Sequence, residues 1–141
     1  AVLAFVAVVL VVGWWFIRKP HFNGTRPVSI NVLLHAPSPV NATSPPVELL
    51  NVTIASEQSC SNLLAVLTQA DSAAINLRAG GTLDIKFANG KTNEVHLLPS
   101  HNSDDAEFRV GVLKYAVLRE KLYAALAAAG VDISKIPAAS H

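Results

Sequence analysis

The run from Ala1 to Ile17 holds no charge, no proline and a single glycine, and it restricts its own fate more narrowly than any other part of the chain. At about 1.5 Å per residue, a helix of that length covers roughly 25 Å, just long enough for a hydrocarbon core about 30 Å thick. A core helix of a small water-soluble protein carries a polar stripe every three or four residues, whereas every face of this one is apolar. Trp14 and Trp15, followed by Arg18, Lys19 and His21, read as an interfacial belt, with aromatic rings at headgroup depth and cations just beyond. A secretory signal needs a small-x-small cleavage site, and the bulky stretch GWWFIRKP occupies its place. The expectation is a single-pass signal-anchor over residues 1–19 in contact with membrane lipid. A cleaved signal and a buried helix are the alternatives.

Taken alone, Arg18 and Lys19 favour a cytoplasmic carboxyl-terminal domain, but the positive-inside rule compares both flanks of a span and only one is visible. The tract AVLAFVAVVLVVGWW resembles the N-terminal anchors of uncharacterised small bacterial proteins. That resemblance covers the anchor tract alone and implies a domain anchored on the extracytoplasmic side of the membrane.

Charge and cysteine content exclude several classes of function. The formal net charge is +1, and setting aside Arg18 and Lys19 leaves nine basic against ten acidic residues, so no basic field exists to hold nucleic acid. A single cysteine, Cys60, forbids an internal disulfide and any multi-cysteine metal site. The length beyond the anchor suits one small domain. The expected division is an anchor at 1–19, a juxtamembrane segment with one strand and a Pro-rich loop at 20–46, a domain at 47–137 and a tail at 138–141.

Ser29 to Leu34 and Val47 to Ile54 are rich in Val, Ile and Leu and predict strands, joined by the Pro-rich APSPVNATSPP. Asn23, Asn41 and Asn51 open formal glycosylation sequons, of the kind that a segment rich in Asn and Thr makes by chance. Ser56 is a candidate cap for a helix over Glu57 to Gln69, in which Cys60, Leu63, Leu64 and Leu67 share one face. A thiol near a helix N-terminus can be a nucleophile, with His35 or His96 as its base. Against that, Cys60 shares its face with three leucines and reads as a small buried hydrophobe.

In GGTLDIKFANGKTNEVHLLP two alternating runs predict an antiparallel hairpin. A two-residue Asn89-Gly90 turn would set Leu83 opposite His96 and mix core with polar groups. A three-residue loop, Ala88-Asn89-Gly90 with Gly90 as a G1 bulge, pairs Leu83 with Val95 and Ile85 with Asn93. A further strand begins near Phe108 and continues through Tyr115, bent at Gly111. A final helix places Leu118, Leu122, Ala125, Leu126 and Ala129 on one face and ends at Gly130, with Val131 closing it. The expected fold is α+β: an N-terminal transmembrane helix followed by a small, mostly antiparallel sheet of four or five strands with two helices on one face.

No Gly-x-Ser-x-Gly elbow, phosphate-binding glycine loop or His-x-x-x-His pair occurs. The expected function is a membrane-anchored accessory or binding module, without catalysis or cofactor, meeting a protein partner and no nucleic acid. One alternative is a small enzyme using Cys60 or the outer face of the hairpin, where Asp84 lies opposite Glu94 and His96 follows. Those three are also the candidate metal ligands, although a flat two-stranded face rarely offers a fourth and no metal is expected there. The other alternative is a structural component of a membrane assembly.

Overall fold

The computed structural model describes residues 2–36, 47–73, 80–98 and 104–136. The Pro-rich loop, the Asn41 sequon and the tail at 138–141 lie outside the described residues, as does the side chain of Trp15. Helix α1 (Val2–Arg18) leads to strands β1 (Pro27–His35) and β2 (Glu48–Ile54), helix α2 (Glu57–Thr68) and strands β3 (Asp71–Ser72) and β4 (Gly81–Phe87). Strands β5 (Thr92–Leu98), β6 (Asp105–Val110) and β7 (Leu113–Leu118), helix α3 (Arg119–Ala128) and a 3-10 turn at Ile133–Lys135 complete it.

The fold is α+β, with one seven-stranded sheet in the order β2-β1-β4-β5-β6-β7-β3 and every neighbouring pair antiparallel. Alternation along the strands turns Ile30, Val32, Leu34, Leu83, Ile85, Val95, Phe108, Tyr115 and Val117 to one face, where all are buried. Over that face lie α2, against β1, and α3, against β6 and β7, and the two helices touch each other. Cys60, Leu63, Leu64 and Leu67 of α2 and Leu122 and Leu126 of α3 complete the core, each buried aliphatic side chain worth about 1.5–3 kcal/mol over its exposed state.

Local chemistry sets the boundaries. Ser56 Oγ accepts from the Ser59 amide at 3.3 Å and opens α2. At the far end of α3 the Val131 amide donates to Leu126 O and the Gly130 amide to Ala127 O, both at 3.0 Å, which satisfies two orphan carbonyls in a Schellman motif. The hairpin adopts the three-residue loop. Leu83 pairs with Val95, Asp84 with Glu94 and Ile85 with Asn93, and Gly90, at φ +84°, supplies the left-handed residue.

Two expectations are corrected. The sheet has seven strands rather than four or five, partly because the single run expected through Tyr115 is two strands. Gly111, at φ +62°, and Val112 form a two-residue turn that pairs Val110 with Leu113, a glycine-first turn whose twist matches that of the flanking strands. The two-residue β3 carries too little pattern to be recognised. Leu118 ends β7 instead of entering the apolar face of α3 and is half exposed. β1 lies inside the sheet, between β2 and β4. No helix among the described residues is long and apolar enough to cross a membrane; α1 has 17 residues and covers about 25 Å.

Candidate functional site

The second face of the sheet has no helix over it among the described residues, and its side chains are polar in rows. Across β2, β1, β4 and β5 one row runs Thr53, Asn31, Asp84, Glu94, and the next runs Asn51, Leu33, Thr82, His96 and on to Arg109 and Lys114. Asn31 ties the first row to the second. Its side-chain amide donates to Thr53 Oγ1 and Asn51 Oδ1, both at 3.0 Å, so one asparagine of β1 organises the outer side of β2. A shallow depression of about 400 Å³ lies beside it, lined by Ser29, Asn31, Thr53, Asp84, Lys86 and Glu94 among others.

The three residues singled out in the hairpin do come together. Asp84 and Glu94 are direct cross-strand partners, and His96 Nε2 lies 3.0 Å from Glu94 Oε1. Among the described residues no group of three or more His, Cys, Asp or Glu is placed to hold a metal ion.

Cys60 is on the other side of the sheet. It is fully buried, and its thiol donates to the Ile54 carbonyl at 3.4 Å. Burial pushes the thiol above its ordinary 9.0, the backbone of Ile30 acts in the opposite direction, and Glu57 adds to the rise. A nucleophilic cysteine needs the reverse, a depressed value and access. His96 projects from the outer face, so the sheet itself separates it from the sulfur.

The belt residues divide between two roles. The Arg18 guanidinium stacks over the Trp14 ring, 4.5 Å from its centroid. Lys19 is drawn to the domain, where its ammonium donates to Gln69 O at 3.0 Å and to Asp71 Oδ1 at 2.7 Å, against the carbonyl end of α2 where a cation is favourable. From there residues 19–26 run along α2 in the opposite direction and reach its first turn, where Arg26 lies 3.3 Å from Glu57. An extended chain advances about 3.3 Å per residue and a helix about 1.5 Å, so eight extended residues suffice to follow a twelve-residue helix. Along the way Phe22 packs on the core. The Asn23 amide donates to Asn93 Oδ1 at 2.6 Å, and Asn89 Nδ2 donates to Asn23 O at 3.0 Å. The strap thereby joins α1 both to α2 and to the β4–β5 hairpin.

Three features escaped sequence reasoning. The strap carries no periodicity to signal it. Asn31 shows in SINVLLH only as a lone amide, with nothing in the spacing to tie it to Asn51 and Thr53. Glu107, 4 % exposed on the outer face between Leu98 and Ala116, looks in sequence like any solvated strand carboxylate. No family model, no curated protein and no solved structure matches the chain.

Proposed function

We propose that this chain is a membrane-anchored accessory or binding module, held at a bilayer by α1 and presenting the helix-free face of its sheet to a protein partner. The observation that carries the reading is the two-sidedness of the molecule. One sheet face is closed by α2 and α3, while the other holds ordered polar rows, with Asn31 clamping Asn51 and Thr53. An antiparallel sheet of this kind can leave one face to water or to a partner, and a rigid sheet with side chains held by their neighbours presents donors and acceptors at little ordering cost.

Support for the bilayer comes from α1, whose apolar side chains find no core: Leu3 is 85 % exposed and Phe5 69 %. Seventeen helical residues, the last of them Arg18, stand at the lower limit for a span, a shortfall that local thinning and snorkelling of Arg18 can absorb. In this reading the domain lies on the extracytoplasmic side, as the resemblance of the anchor tract implies.

The test is a photo-crosslinking residue placed either at Thr82, on the helix-free face, or at Lys121, on α3, in the full chain in its own membranes. The reading expects a discrete protein adduct from Thr82 and none from Lys121, with the chain resisting extraction by alkaline carbonate. Release into the soluble fraction sinks the anchor, and equal labelling from both positions sinks the binding face.

A further inference from the structure

We propose that the edge of β2 away from β1 pairs antiparallel with β2 of a second copy of this chain, centred on Val52. The two ends of the sheet differ in how they are finished. At one end β3 is two residues long and its Asp71 is held by Lys19; short length and charge are the usual means of blunting an edge. At the other end β2 runs for seven residues, Glu48–Ile54, without a lysine, an arginine or a proline, and no described strand lies beyond it. It is also incompletely covered. α2 lies over β1, and Leu50 and Val52 remain half-buried at the margin of the core.

Register decides the partner. A bulge at the Glu48 end, where His35 pairs with Glu48 and Leu34 with Leu50, leaves Leu50 to Ile54 as the regular part of the strand. Side chains alternate strictly in that part, so only a register that sets like faces together is allowed. The midpoint is Val52. A two-fold axis there puts Val52 against Val52, Leu50 against Ile54 and Asn51 against Thr53 of the other copy. The inner row then joins aliphatic to aliphatic and extends the core strip across the junction. The outer row joins amide to hydroxyl, on residues already held in place by Asn31. Glu48 of each copy falls at opposite ends of the ladder, so no like charges face each other. A self-complementary patch of this kind is what a two-fold dimer requires, and a ladder this short belongs to the reversible class of interface.

The experiment uses the full chain in detergent micelles with Cys60 replaced by Ala. Val52→Cys is expected to form a disulfide-linked dimer under mild oxidation, because directly opposed strand positions lie within the 4.4–6.8 Å Cα range a disulfide needs. Leu50→Cys is expected to stay monomeric, since its twin would sit about four residues away along the strand. Detergent-corrected mass of the wild-type chain is expected to rise to two copies with concentration, and Thr53→Lys, a charge added at an exposed edge position, is expected to hold it at one. Equal cross-linking from both positions overturns the register. A wild-type chain that remains monomeric at the highest accessible concentration overturns the proposal, whether or not the cysteine variants fold.

Discussion

Lys19 closes onto Asp71 across 52 residues of sequence: its ammonium sits 2.7 Å from Asp71 Oδ1 and 3.0 Å from the Gln69 carbonyl. The contact fastens the strap at the point where α1 ends. The hydrogen bond from Lys19 holds the Asp71 carboxyl below its ordinary 3.8. A carboxylate lowered in the folded state contributes above its ordinary value, and the contribution is lost as pH falls through the lowered one. Asp71 is 56 % exposed, so Lys19→Ala is expected to cost less than about 1 kcal/mol in a denaturant melt. The larger effect is local, with lower amide protection, relative to the intrinsic exchange rate at the same pH, over residues 21–26, reproduced in the wild type by acid that protonates the lowered Asp71 carboxyl. Unchanged protection in both conditions means the strap is held without Lys19.

Gly24 fixes the middle of the strap by its lack of a side chain. A Cβ there would stand 2.6 Å from Phe87 Cγ, inside any tolerable contact, and Phe87 is buried at the end of β4. Gly24→Ala is therefore expected to move either the strap or the ring and to destabilise by about 1–3 kcal/mol, as overpacking does. A thermal melt matching the wild type would show that the strap does not press on Phe87.

Cys60 is expected to resist maleimide in the native protein near neutral pH and to react on denaturation, since burial both shields the sulfur and raises its titration above 9.0. Leu67→Ala on the same buried face is expected to cost about 2–5 kcal/mol. Rapid native labelling would reopen a chemical role for the thiol.

Asp84 and Glu94 face each other across the hairpin, a like-charge pair that is unfavourable in a sheet by a few tenths to about 1 kcal/mol. Asp84→Asn removes the repulsion and leaves Glu94 beside His96, so a gain of that size is expected in a urea melt. His96→Gln is expected to keep the fold. Calorimetric titration with zinc is expected to be silent; micromolar binding abolished by Glu94→Gln would make this face a metal site after all.

What the sequence by itself determined is everything written in short-range periodicity. The α2 face of Cys60, Leu63, Leu64 and Leu67 follows from a repeat of 3.6, and the hairpin register from a repeat of 2 combined with one left-handed glycine, because in both cases the competing arrangement would bury a polar group within a few residues. Asp84 opposite Glu94 was legible for the same reason. Only the tertiary structure decided which surfaces those elements meet. β1 reads alone as a juxtamembrane strand, yet it lies between β2 and β4 because its Ile30, Val32 and Leu34 complete a core that β4 and α2 leave open. Gly111 reads as a bend and becomes a turn because Phe108 and Tyr115 pack together, ring centroids 5.7 Å apart. Lys19 reads as a headgroup contact, and its tie to the carbonyl end of α2 has no trace in the local sequence. Long-range partners leave no spacing in the chain: a lysine is drawn by whichever uncompensated carbonyl and carboxylate the folded domain brings near it, and only the assembled sheet and helices set that position.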